Sequence, residues 1–171
     1  MKHLPIFLFT VLFAISACGQ QDKSKRPSPP AQVTQKITSG ATLTIDYSQP
    51  SVKGRTIGKD LEPMAGKVWR TGANEATVFE TDKDIKVEGK DLPAGKYGLF
   101  SIMNEDGSWT IIFNKTWKQW GAFSYKEADD ALRVQVKGGT GDFSEKMNFM
   151  IDPSGKVSFA WGDKLVSFMV Q

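Results

Sequence analysis

The sequence predicts an all-β domain: an antiparallel β-sandwich of about nine strands, jelly-roll or Ig-like, with little helix. Three observations carry that expectation. Beyond residue 32, apolar residues recur at every second position in one short run after another, as in Thr42-Leu43-Thr44-Ile45-Asp46-Tyr47. Turn signals such as Asn104-Glu105-Asp106-Gly107 and Asp152-Pro153-Ser154-Gly155 separate the runs. The 16 glycines among 171 residues supply many bends. A closed barrel is the alternative arrangement of the same strands.

Taken in order, the chain begins with a leader. Met1-Lys2-His3 is a positive start, and Leu4 to Ala14 is apolar apart from Pro5 and Thr10. That run is too short to cross a bilayer and suits a secretion signal. Ile15-Ser16-Ala17-Cys18 resembles a bacterial lipobox, which implies cleavage before Cys18 and acylation of it. Cys18 is the sole cysteine, and several acyl chains on one residue anchor a protein stably where one would not. Residues 1–17 therefore read as a lipoprotein signal peptide. Residues 18–32 read as the lipidated cysteine and a Pro-rich tether, which could extend roughly 45 Å. Residues 33–171 read as one β-sandwich domain. Gly19, with no acid beside the cysteine, resembles the pattern of lipoproteins sent to the outer membrane of two-membrane bacteria.

Within the domain, Thr42–Tyr47 is a half-buried strand. The long irregular stretch Val52–Thr77 follows it, with a strand resuming at Ala76–Glu80. Ile85–Val87 is a short strand. Leu92-Pro93-Ala94-Gly95 is a turn into Tyr97–Met103, which is apolar on both faces and so reads as central. Ser108–Phe113 returns from a hairpin. Asn114–Leu132 is a second irregular stretch, where Ser124 and Glu127 have the spacing of a capping box for a turn or two of helix. Leu132–Lys137 and Phe143–Ile151 read as two strands joined by a hairpin turn at Gly138-Gly139-Thr140-Gly141. Val157–Trp161 and Val166–Val170 read as two more, joined by a turn at Gly162-Asp163.

The inventory of side chains excludes much chemistry. His3 is the only histidine and belongs to the leader, and Cys18 is committed to lipid. Ser-His-Asp and Cys-His catalysis are then unavailable to the mature chain, as are His/Cys metal sites. No calcium-loop spacing is present, and no cofactor or metal is expected. Loss of the leader removes one of 22 basic residues and none of the 19 acidic ones. The near-balance gives no basic face for nucleic acid.

Three runs carry a family resemblance. Gly66-Lys67-Val68-Trp69-Arg70-Thr71-Gly72-Ala73-Asn74-Glu75-Ala76-Thr77 is the longest and most specific. Tyr47–Arg55 precedes it and Leu92–Tyr97 follows. Together they resemble the bacterial family DUF2911, and the likeness continues through Trp109–Asn114, Trp120-Gly121 and Leu132–Val134. The resemblance implies an exported β-rich protein and brings no activity with it.

Two readings of the long loop stay open. In one, Trp69, Arg70, Asn74 and Glu75 form a ligand site, with Lys53 and Arg55 adding positive charge. Arg70 would offer its fork to an anion, Trp69 a flat wall, Asn74 and Glu75 polar contacts. In the other, Trp69 fills the core, Arg70 pairs with Glu75, and Asn74 tolerates a left-handed backbone. The aromatic stretch Trp117–Tyr125 likewise reads as core or as an exposed sugar-binding face, core being favoured. The function that follows is a membrane-anchored envelope lipoprotein. It is a non-catalytic binding module for a small polar, anionic or carbohydrate ligand. A structural or protein-interaction component is the alternative. A carboxylate hydrolase with Glu75 as catalytic group is the weakest candidate. Replacing the lipobox cysteine, Cys18→Ser, is expected to block processing or shift the protein out of the membrane fraction. A variant that stays processed and membrane-bound would show the lipobox assignment to be mistaken.

Overall fold

A computed structural model describes residues 22–171. The assigned signal peptide and Cys18 lie outside the described residues. Ten strands are present: β1 (Pro30–Lys36), β2 (Thr42–Ser48), β3 (Val68–Trp69), β4 (Thr77–Thr81), β5 (Ile85–Val87), β6 (Lys90–Leu92), β7 (Gly95–Met103), β8 (Ser108–Asn114), β9 (Asp130–Ile151) and β10 (Lys156–Met169). Helical structure among the described residues is limited to two single 3-10 turns, Lys23–Lys25 and Glu127–Asp129. The all-β antiparallel class is therefore as the alternation of apolar residues requires.

The main sheet runs β1-β2-β4-β7-β8-β9-β10, every pairing antiparallel, with β3 also on β7. It curls on itself into a sandwich-like fold, and β9 is the strand that makes the curl. Its first part, from Asp130 to Lys137, pairs with β8, and its second, from Gly138 to Ile151, pairs with β10. The far end of β9 then meets the chain just past β2, where Val52 N–H donates to Glu145 C=O and Met147 N–H to Pro50 C=O. On the other side, Lys86 and Gln171 exchange backbone hydrogen bonds, both N–H groups donating. These contacts tie part of β9 and the C-terminal end of the chain to neighbouring segments, while β1 keeps a free outer edge among the described residues.

Several elements differ from the sequence expectation, each for a physical reason. Gly138-Gly139-Thr140-Gly141 is not a hairpin turn but the interior of the 22-residue strand β9. A side chain at Gly138 would press within 2.6 Å of Gly107 C=O and 2.7 Å of the Trp109 indole nitrogen. The glycine answers a close approach of backbone, a demand that looks like a turn in sequence. Gly162-Asp163 is likewise inside β10, at a register shift against β9. The missing strands are β1, β3 and β6. β1 begins inside the segment read as tether. Ala31 and Val33 pack on the core while Gln32 Nε2 donates to Asp46 at 2.7 Å, and the Thr34 and Thr44 hydroxyls pair at 3.1 Å. The expected capping box is absent. The 3-10 turn starts after Lys126 with no side-chain cap.

The core is aromatic. Trp69 stacks on Trp161 with centroids 5.6 Å apart and planes 15° from parallel. Phe159 meets Trp69, Trp109 and Phe149 at 6.3, 5.4 and 5.6 Å, and Phe149 continues to Tyr47 at 4.9 Å. These contacts cross from β2, β3 and β8 to the β9–β10 arm. They bury the large area that a sandwich without disulfides requires. A second, smaller cluster of Ala76, Phe100 and Ile112 lies apart from this core, with Val68, Ile102, Ala122 and Tyr125 packed on it. Its presence explains why β7 is apolar on both sides. Trp69→Ala is expected to lower the unfolding free energy by about 3–5 kcal/mol. The exposed control Phe123→Ala should cost less than about 0.5 kcal/mol. Urea unfolding followed by far-UV circular dichroism measures both.

Candidate functional site

Strands β3 and β4 lie end to end along one edge of β7. Trp69 pairs with Ser101 and Thr77 with Leu99, so residues 70–76 stand opposite Phe100 alone. The chain has to leave the ladder after Trp69 and return at Thr77, which is a bulge on a large scale. Thr77 N–H closes its neck by donating to Arg70 C=O at 3.3 Å, and the Thr77 hydroxyl donates to Thr71 C=O at 2.8 Å. Thr71 is fully buried, donates to the Ser101 hydroxyl at 2.9 Å and holds φ at +50°. A β-branched residue in that region is strained, and the surrounding bonds hold it there. Gly72 has no room for a side chain: a Cβ would lie 2.8 Å from the Thr77 hydroxyl and 3.2 Å from Ser48 C=O.

Each sequence-derived site residue can now be placed. Trp69 is buried at 2% exposure and stacked in the core. It cannot be a ligand wall, because β3 pairing points it inward. Asn74 sits at φ +59°, as its tolerance of left-handed backbone allows. Its side-chain amide donates to Ser28 C=O at 2.9 Å, and its own C=O accepts from Gly121 N–H at 3.0 Å. Glu75 does not pair with Arg70. Its carboxylate takes both oxygens to Arg26 Nη1, at 3.1 and 2.9 Å, and one to Lys23 Nζ at 3.0 Å. Lys53 and Arg55 serve the loop itself. Lys53 has φ +49°, and its backbone N–H donates to the Glu145 carboxylate at 2.8 Å. The Arg55 guanidinium donates to Ser51 and Val52 carbonyls at 2.9 and 3.1 Å. No hydrogen bond among the described residues links these two side chains to Arg70.

The remaining residue, Arg70, has a different environment. Its Nε is buried without an acceptor, and among the described residues no carboxylate lies within salt-bridge distance of its guanidinium. Desolvation lowers its pKa, and the charge of Glu62 opposes that shift. A guanidinium remains a cation at any ordinary pH, so this is a partly buried positive charge with bonding capacity to spare.

The stretch Lys115–Asp129 is a closed loop beside it. Asn114, fully buried, is the staple: its amide donates to Lys126 C=O at 2.9 Å and to the Asp130 carboxylate at 2.7 Å, while its oxygen accepts from Thr116 N–H at 2.9 Å. Ala76 N–H donates to Gln119 C=O at 3.0 Å, which fastens the loop to the bulge. The favoured core reading of its aromatics is overturned. Trp117, Trp120 and Phe123 are 36, 54 and 87% exposed, and only Tyr125 is packed, against Phe100 at 5.1 Å. The reason is position: the loop covers a small apolar cluster that Phe100, Ile112 and Tyr125 already fill. A Cβ at Gly121 would be 3.3 Å from the Phe123 ring and 3.9 Å from Arg70 Nη1, so Phe123 and the Arg70 fork are neighbours. Arg26 lies over the Trp120 ring at 5.8 Å and Lys96 over Trp117 at 5.7 Å.

Sequence reasoning missed Lys23, Arg26, Ser28 and the Asn114 staple. Charges in a polar, Pro-rich segment carry no signal of their partners, and Asn114 looks like an ordinary strand end. A shallow cavity of about 160 Å³ lies between Lys23, Asp46, Tyr47, Glu75 and Val78. It brings two carboxylates near one another, but Glu75 is poorly placed for acid–base work. Partial burial pushes its pKa up. Hydrogen bonds from Lys23, from its own backbone N–H and from Arg26, with the Lys23 charge, more than offset that and bring it from 4.5 to about 2. A carboxylate so firmly ionised and doubly engaged is a poor proton carrier near neutrality. Among the described residues no group of His, Cys, Asp or Glu side chains is placed to hold a metal ion, and no helix is long and apolar enough to cross a membrane.

The depressed pKa fixes the sign of a pH effect. The Glu75 contacts contribute stability in full above about pH 4.5, and that contribution is lost as pH falls toward 2. Because the carboxylate is 39% exposed, solvent screening limits it to about 1 kcal/mol or less. Glu75→Gln should therefore melt at a lower temperature than the native chain at pH 7, with the gap closing between pH 4.5 and 2 and shrinking in 1 M salt. Differential scanning fluorimetry across that range measures it. A gap independent of pH would rule out an ionic origin.

Comparison with known proteins agrees with the sequence resemblance. The model of a family described as protein of unknown function (DUF2911) matches residues 28–170. The match begins at Ser28, ahead of β1, so part of the segment read as tether falls within it. No curated protein and no solved structure matches the chain.

Proposed function

The chain belongs to the DUF2911 family, and we propose that it is a non-catalytic binding module of the bacterial envelope, lipid-anchored through Cys18, for a small anionic or carbohydrate ligand. The observation that supports this reading is the pairing of an unpartnered guanidinium at Arg70 with a closed loop that holds Phe123 and Trp120 in solvent. Arginine presents a planar fork matched to carboxylate, phosphate or sulfate. Flat aromatic faces beside it suit the apolar side of a sugar ring. The loop is closed by buried Asn114 and the bulge is bonded at both ends, so both groups are held before a ligand arrives. Catalysis is disfavoured by the mature chain's lack of histidine and free thiol, and by the engagement of Glu75 with two cations.

A protein-interaction component of the envelope is the second reading, supported by the same exposed apolar side chains. The two readings differ in their need for Arg70. Titration of the detergent-solubilised lipidated chain with glucuronate, sulfate and glucose, followed by tryptophan emission, separates them. The binding module predicts a saturable response to an anion, and Arg70→Gln should weaken it by about 10- to 100-fold, the value of a charged hydrogen bond, with an unchanged melting temperature. Absence of a response to every anion, or an Arg70→Gln variant with native affinity, would leave the interaction reading in place.

A further inference from the structure

We infer that the face carrying Trp117, Trp120 and Phe123 rests on the bilayer in which Cys18 is anchored, and that the anion received by Arg70 there is the phosphate of a phospholipid headgroup. This rests on the anchored-module reading and narrows its ligand.

The first support is covalent reach. Lys23 and Arg26 are both fixed to Glu75, Ser28 is bonded to Asn74, and Arg26 lies over the Trp120 ring. From Cys18 to Lys23 the chain can extend no more than roughly 18 Å. A lipid on Cys18 therefore enters the membrane close to Trp120, and the face that bears Trp120 is brought to the bilayer. A free tether over residues 18–32 would have imposed no such orientation. The docking of Lys23, Arg26 and Ser28 imposes it.

The second support is the chemistry of that face. Phe123 is 87% exposed and Trp120 54% exposed, both on one tight loop. Aromatic side chains of this kind partition to the headgroup boundary, tryptophan at the interface and phenylalanine deeper. Exposed lysines lie on the same loop, Lys115, Lys118 and Lys126, while Lys25 on the docked segment stands 4.0 Å from the Asp22 carboxylate. Most nearby acids are matched by cations, Asp22 among them by Lys25. Glu75 is held by Lys23 and Arg26, and Glu127 and Asp130 by Arg133, whereas among the described residues the Asp129 carboxylate accepts only from the neutral Thr116 hydroxyl. The face offered to a membrane is thus aromatic and cationic, which fits anionic phospholipid. Arg70, adjacent to the Phe123 ring, would stand at the depth of the phosphates once that ring enters the boundary.

The test uses the lipidated full chain in vesicles of phosphatidylethanolamine and phosphatidylglycerol, with and without bromine on the acyl chains. Bromine quenches tryptophan only near the acyl boundary, and Trp69, Trp109 and Trp161 are core residues that it cannot reach. Bromine quenching is expected in the native chain and should fall at least two-fold in Trp120→Phe. Phe123→Ser should weaken it as well. Equal emission from brominated and plain vesicles would overturn the membrane orientation. In a second arm, glycerol phosphate is added to the chain in nonionic micelles. A response there that Arg70→Gln abolishes, without bromine quenching in vesicles, would overturn the membrane orientation and leave the small-anion site standing. Bromine quenching that is unchanged in Arg70→Gln would overturn the headgroup assignment. The mass of the N-terminal peptide checks acylation of Cys18 separately, and an unmodified cysteine would overturn the anchor itself.

Discussion

The stacking of Trp69 on Trp161 is the contact on which the rest of the site depends. It ties β3 to the β10 arm across the core, and with the Trp69–Ser101 pairing it sets where the chain must leave the edge of β7. Once Trp69 is inward and Thr77 has resumed the ladder, residues 70–76 have nowhere to go but outward. The strained Thr71, the left-handed Asn74 and the sterically compelled Gly72 all follow from fitting that excursion between Ser48 and the 117–121 segment. Core packing and site geometry are therefore one problem here. The residue that sequence reasoning placed at the ligand positions its neighbour Arg70 instead.

Period-two alternation made the strands legible because it is a local property of each run. β2, β4, β7 and β8 stand where Leu43, Phe79, Leu99 and Ile111 put them. What was not legible is what depends on distant neighbours. Gly138 looks like a turn until Trp109 is seen beside it, and a glycine that yields to an indole carries the same letter as one that bends a chain. Pro30–Lys36 is half exposed along its length, so its alternation is too weak to stand out from the polar tether. At the site, the choice between an Arg70–Glu75 pair and a free Arg70 turns on Lys23 and Arg26, about fifty positions away from Glu75 in the chain. The exposure of the aromatic loop depends on distant neighbours too. Aromatic composition implies burial only when area is available to receive it, and Phe100, Ile112 and Tyr125 had already filled the surface under the loop.

Glu75 and Arg70 thus have separate tasks. Glu75 gathers two cations and is neutralised by them, which makes it structural. Arg70 is left with its charge and with a buried Nε that has no acceptor, the feature on which the proposed anion site rests. Had the two paired, the bulge would have been self-satisfied and the aromatic loop an isolated apolar patch. The division of labour between them is what supports reading the bulge and the loop together as one recognition surface.

The docking of residues 23–28 also has a mechanical consequence. β1 is an edge strand paired only with β2, and Pro30 is its first residue. Tension applied from that end would peel its ladder one hydrogen bond at a time, the weak geometry for a β-strand under load. The contacts of Arg26 and Lys23 with Glu75, and of Asn74 with Ser28, stand ahead of Pro30 on the load path. They divert force into the bulge, which is braced by Thr71, Thr77 and Ser101 in the interior. A small ionic clasp at the surface thereby acts as a strain relief for the sheet's outermost strand.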